Sequence, residues 1–255
     1  MKLSELTITK QEAFNFRRVH GLSAAEPLNL DSLLLQLNVQ TVFIPLKKVS
    51  GMAIKVETKG HTHRFILINS NHTLGRQNFT ICHELYHLFV QKGFAFKVCN
   101  QPMFDKKDIE EYRADLFASA LLMPEDGLTG MLLEENFDPD NKEMVYPTIL
   151  KLEQYFGCSR SALLYKLANM GYPQLQKGKP LQKDLSKDIA LQAQQYGYDL
   201  RLYKSANANR AIGNYGEMAK RLFNAAEISE AHYATLMENI FVNIYTPQND
   251  EPENE

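Results

Sequence analysis

The sequence predicts an α+β fold: a small antiparallel sheet with helices before and after it, then a helix-turn-helix-like segment and a helical C-terminal region. Two helical patterns lead straight into three short β-branched runs, and after residue 73 the apolar spacing returns to helical. Of 255 residues, 44% are hydrophobic and 23% charged, which is enough to bury a core.

Residues 8–20 carry the first helical pattern, closed by Gly21 at the position after the last turn. Residues 28–37 read as a second, very apolar helix with Asp31 and Ser32 in its first turn. The β-like runs are 41–46, 52–57 and 63–68, separated by Pro45, Ser50-Gly51 and Lys59-Gly60. A third helix spans about 73–91, with Phe79, Leu85, Leu88 and Phe89 apolar and Gly93 just beyond. A fourth runs from about residue 107 to Leu122 and stops before Pro124, with Asp108, Glu110 and Glu111 where carboxylates favour the helix dipole. Residues 131–145 are acidic and read as a linker. Two short helices around Gly157-Cys158-Ser159 have helix-turn-helix spacing, with Ser159 placed to cap the second. A Gly-, Pro- and Lys-rich joint at 171–180 leads to about three further helices ending near Tyr245.

The formal charge is −2, and the last residues hold Asp250, Glu251, Glu253 and Glu255 with no base; without those four acids the body carries +2. That excludes a strongly basic nucleic-acid binder and leaves room only for a small local contact. The tail at 247–255 is expected to be disordered. No apolar run approaches the ~18 residues of a membrane helix, and the N-terminus lacks a secretory apolar core. Three widely spaced cysteines, Cys82, Cys99 and Cys158, fit a reducing cytoplasm rather than a disulfide framework.

The specific signal is His83-Glu84-Leu85-Tyr86-His87, an H-E-x-x-H inside a helical pattern. Side chains four apart on a helix differ by only ~40° and ~6 Å, so both imidazoles reach one ion. Glu84 sits beside the open coordination position, where it can take a proton from water and return it to a leaving amine. A two-histidine catalytic zinc needs a third protein ligand. The next helix supplies Glu111 and Asp115 on one side: Glu111 is the expected ligand, and Asp115 the carboxylate that fixes an imidazole tautomer. Glu110 and Asp108 stand as alternative ligands should the helix register differ.

Residues 78–87 (NFTICHELYH) resemble the F-T-x-A-H-E-x-G-H signature of the ImmA/IrrE family of metallopeptidase-like proteins. Residues 111–124 (EYRADLFASALLMP) resemble that family's E-x-x-A-N-x-F-A-x-x-L-L-M-P segment, and Asn69 and Arg76 match its preceding positions. The resemblance covers about residues 10–175. It implies a minimal zincin, a zinc cofactor and a peptidase acting on helix-turn-helix repressors to relieve repression of stress-response or mobile-element genes. This chain departs from the pattern at Cys82, Tyr86 and Asp115, where the family has Ala, Gly and more often Asn. The expected organisation is a zincin-like domain (1–135), a helix-turn-helix-like segment packed on it (136–175), a helical region (176–246) and the tail.

The second helix of the helix-turn-helix offers Arg160 and Lys166 as phosphate-capable residues, a thin basic footprint that favours packing or a partner surface over DNA binding. His63, with His61, lies on the last β-like run and either lines a substrate cleft or is simply exposed, the second being favoured. His72 and Tyr112 are weak candidates for a transition-state donor. Cys82 is read as a small buried thiol rather than a redox switch. The leading expectation is a cytoplasmic zinc endopeptidase cutting a repressor partner, with Glu84 as base. The alternatives are a zinc-stabilised regulator, antitoxin-like, that binds a transcription regulator without cutting it, and a DNA-binding regulator.

Overall fold

A computed structural model describes residues 3–58, 60–99, 103–105, 108–205 and 209–241. The acidic tail and the expected helix end near 245 lie outside these residues. The elements are α1 (Leu3–Val19), α2 (Leu30–Gln36), β1 (Val39–Ile44), β2 (Gly51–Thr58), β3 (His61–Asn69), α3 (Leu74–Phe89), β4 (Phe96–Cys99), α4 (Ile109–Leu122), α5 (Glu125–Glu134), α6 (Lys142–Phe156) and α7 (Arg160–Asn169). A C-terminal region follows with α8 (Pro180–Leu185), α9 (Ile189–Gln195), β5 (Arg210–Ile212), α10 (Tyr215–Asn224) and α11 (Glu230–Phe241). The class is α+β, as expected.

The sheet is mixed rather than antiparallel throughout. Its order is β4-β2-β3-β1-β5, and β1 runs parallel to β3. The tight turn at Gly60 (φ 83°) makes β2 and β3 a hairpin. The longer connection at 45–50 carries β2 past the place that β3 fills. Buried Asn69 pins that connection: its Nδ2 donates to Leu46 O (3.0 Å) and Val49 O (2.7 Å), and its Oδ1 accepts from Leu46 N (3.0 Å). One side chain thus satisfies three backbone groups of the loop.

α3 is the centre of the molecule. One side packs on β2 and β3 and the other on α4, and Phe79, Ile81, Cys82, Leu85 and Leu88 are buried on it. α1 packs across α4, and Arg17 caps it: Nε and Nη2 both donate to Leu121 O (2.9 and 2.6 Å) at the C-terminal end of α4. Burial lowers the Arg17 guanidinium to about 10.

Three elements differ from expectation. β4 falls in a stretch read as loop, and Cys99 is its last residue. α5 and the first turn of α6 occupy much of the acidic stretch read as a linker, which shrinks to 135–141. α5 forms because Glu125 and Asp126 complement its N-terminal dipole while Leu128 and Leu132, four apart, face the core. The C-terminal region also contributes β5, antiparallel to β1. No single helix among the described residues is long and apolar enough to cross a membrane, although α4 and α5, bent 49° apart, would pass together on length and composition.

The helix-turn-helix spacing corresponds to α6 and α7. Gly157 takes the left-handed conformation (φ 61°) and Ser159 Oγ accepts from Ala162 N. The turn is buried against α3: Asn78 Nδ2 donates to Gly157 O (2.8 Å), and a Cβ on Gly75 would lie 2.8 Å from the Cys158 and Ser159 backbone. Arg160 and Lys166 are both buried and ion-paired, Arg160 to Glu153 and Lys166 to Glu125 (2.9 Å). Neither cation is presented to solvent for a phosphate.

Candidate metal centre

α3 presents His83 and His87 one turn apart toward α4, which presents Glu111 and Asp115 one turn apart in return. None of these four, nor Glu84, is more than 5% exposed. The two imidazole Nε2 atoms stand 3.1 Å apart. Glu111 completes a triangle, with Oε2 3.4 Å from His83 Nε2 and Oε1 3.3 Å from His87 Nε2. A tetrahedral ion with ligands at ~2.0–2.1 Å separates its donor atoms by ~3.3 Å, so the three donors fit one divalent transition metal.

Each imidazole is held from behind. His83 Nδ1 lies 2.8 Å from Asp115 Oδ1, and the other oxygen of Asp115 accepts from Phe104 N. His87 Nδ1 donates to Gln91 Oε1 at 2.5 Å, and the Phe94 ring stacks on it at 5.3 Å and 22°. With Nδ1 donating, each ring turns a bare Nε2 lone pair toward the triangle. Gln91 escaped the sequence reading, although it lies four residues beyond His87, the same helical spacing that linked the two histidines. Phe104 escaped it for want of any local signal.

Glu84 faces the sheet side of α3, against the first residue of β2. A Cβ on Gly51 would lie 3.1 Å from Glu84 Oε1 and 2.6 Å from Thr80 Cγ2. Glycine is the residue that lets β2 and the Glu84 carboxylate come this close.

The alternative ligands do other work. Asp108 caps α4, its Oδ1 accepting from Glu110 N (3.0 Å) and Glu111 N (3.3 Å). Glu110 accepts from Tyr86 Oη (2.9 Å) and pairs with Arg113 (3.1 Å). Tyr86, in place of the family's Gly, therefore points away from the triangle into the core beside Phe117. Burial, then the Glu110 hydrogen bond, push its phenol up.

The weaker candidates lie elsewhere. β3 is an interior strand, and His63 is exposed about 17 Å along it from Ile68, the partner of Gly51. His61 is exposed as well. His72 precedes α3, whose first residue is already about two and a half turns before His83. Tyr112 Oη meets Tyr165 Oη at 3.1 Å. Cys82 is fully buried and its thiol is pushed up to about 12 by burial, opposed only by Arg17, so it holds no thiolate for redox chemistry at neutral pH.

Residues 35–168, from α2 into α7, match the IrrE N-terminal-like domain family. Metallopeptidase ImmA of Bacillus subtilis (strain 168) is 32% identical over 140 residues, a span of 52% of this chain and 73% of that protein.

Proposed function

The chain belongs to the IrrE N-terminal-like family of metallopeptidase relatives, and on that premise we propose that it is a cytoplasmic zinc endopeptidase that inactivates a helix-turn-helix repressor by cutting it. The observation that carries the reading is the convergence of His83 Nε2, His87 Nε2 and the Glu111 carboxylate on one point, with Glu84 between the histidines in sequence. Three protein donors leave a tetrahedral position open, the arrangement of catalytic rather than structural zinc. A zinc ion held there supplies a Lewis acid for the scissile carbonyl and lowers the pKa of water.

The side chains divide the remaining work. Glu84 takes the proton of the attacking water and passes it to the departing amine, which sets its role as general base and then general acid. Its burial against Gly51 limits the carboxylate to few rotamers, so little reorganisation precedes proton transfer. Asp115 and Gln91 hold the imidazoles with Nε2 inward throughout. Burial of His83, His87, Glu84 and Glu111 away from water strengthens each electrostatic contact among them.

The repressor as substrate rests on the likeness to the ImmA/IrrE family, and a helix-turn-helix repressor from the same genome is the protein to test. The unaltered enzyme is expected to cut that repressor. Glu84→Gln is expected to lower the rate by about 10²–10⁴-fold while keeping its metal. A Glu84→Gln protein that relieves repression as well as the unaltered chain would instead mark a regulator that works by binding alone.

A further inference from the structure

Resting on the metal reading above, we propose that Tyr165, on the second helix of the helix-turn-helix-like pair, is a positioning residue for the metal centre, acting through Phe104 and Asp115. The Tyr165 ring stacks on the Phe104 ring at 3.6 Å and 13°. Phe104 has φ 60°, a left-handed backbone that a residue with a Cβ seldom adopts and that persists only where its surroundings hold it. Tyr165 on one side and Phe79, edge-on at 5.7 Å, on the other hold that ring.

The consequence lies one bond away. The Phe104 N–H donates to one oxygen of Asp115, and the other oxygen meets His83 Nδ1 at 2.8 Å. A carboxylate engaged at both oxygens keeps its plane, and with it the tautomer and aim of His83. The Tyr165 hydroxyl also meets that of Tyr112 on α4 at 3.1 Å. The brace on the metal centre is the stacked ring, which acts on His83 through Phe104 and Asp115.

This gives the helix-turn-helix-like pair a task that its sequence pattern does not suggest. The two cations of its second helix are buried in ion pairs, and its turn is packed on the first turns of α3. The face it turns toward the rest of the protein holds the metal centre in shape.

The test is zinc affinity of the full chain, measured by competition with a chromogenic chelator, for Tyr165→Ala, Tyr165→Phe, Asp115→Ala and Tyr165→Ala/Asp115→Ala. Loss of the brace is expected to weaken affinity about 10-fold or more, within the range of outer-partner substitutions at metal sites. Tyr165→Phe, which keeps the stacked ring, is expected to stay within about 3-fold of the unaltered chain and so to rescue it. Because Tyr165 acts through Asp115, the double variant should bind no more weakly than Asp115→Ala alone. The cobalt-substituted Tyr165→Ala protein should show shifted visible bands, while circular dichroism of the metal-free variants reports whether each is folded. Unchanged zinc affinity in folded Tyr165→Ala, or additive losses in the double variant, overturns the proposal and leaves the metal reading standing. Failure of the unaltered chain to bind zinc sinks both.

Discussion

His83 and His87 are backed by unlike partners, a carboxylate and a neutral amide, and that difference has measurable consequences. Asp115 offers His83 a carboxylate oxygen, and Gln91 offers His87 an amide oxygen. Gln91→Leu is therefore expected to weaken zinc affinity by about 10-fold, and Asp115→Ala by more, in the same chelator competition. At the base, Gly51→Ala pushes a methyl against Thr80 Cγ2 and the Glu84 carboxylate. It should cost about 1–3 kcal/mol of stability, read by urea unfolding, and lower kcat more than it alters metal content. Much of this scale was legible in the chain, because a helix converts spacing into direction: His83, His87, Glu111 and Asp115 follow from residues four apart. Gly51 and Phe104 were not legible, since their positions depend on a strand and a loop packing against α3 from far away in sequence.

Among the elements, α6 and α7 are joined by a buried ion pair across their turn. Glu153 is fully buried, Arg160 Nη2 donates to its Oε2 at 3.0 Å, and Tyr203 Oη from the C-terminal region donates to the same oxygen at 3.0 Å. Glu153→Gln removes the charge opposite a buried guanidinium, leaving it Leu185 O and an amide oxygen, and should cost about 3–5 kcal/mol in chemical denaturation. A surface pair such as Lys187–Asp184 should by contrast give almost nothing when broken. The helical spacing, the Gly157 turn and the Ser159 cap were visible in the sequence as local signals. α5 was not, because its acidic composition reads as solvated chain until Leu128 and Leu132 are seen against the core. β4 and β5 are four and three residues long, and such short strands exist by pairing with β2 and β1 rather than by any pattern of their own. The parallel β1–β3 pairing was hidden for the same reason: Asn69, not strand propensity, sets the path of the 45–50 connection.

For the molecule as a whole, the helix-turn-helix-like segment and the body beneath it share charges. Glu125 at the start of α5 pairs with Lys10 of α1 (2.6 Å) and Lys166 of α7 (2.9 Å). Burial pushes the Glu125 carboxyl up from 4.5, and the two lysines outweigh it and hold it at about 2. A carboxyl lowered on folding stabilises fully above its ordinary value and loses that contribution as pH falls toward its folded value. The melting temperature of Glu125→Gln should thus trail the unaltered chain at pH 6, and the gap should close between about 4.5 and 2. The three donors come from two helices and converge only on folding, so removing zinc with a chelator should lower the melting temperature, and adding zinc at about 100 times its Kd should restore about 2.7 kcal/mol. The most direct measurement is the metal content of purified protein by elemental mass spectrometry. One zinc per chain in the unaltered protein and in Glu84→Gln, with loss of the metal in Glu111→Ala, is the predicted result; a full complement of zinc retained in Glu111→Ala would contradict the centre described above.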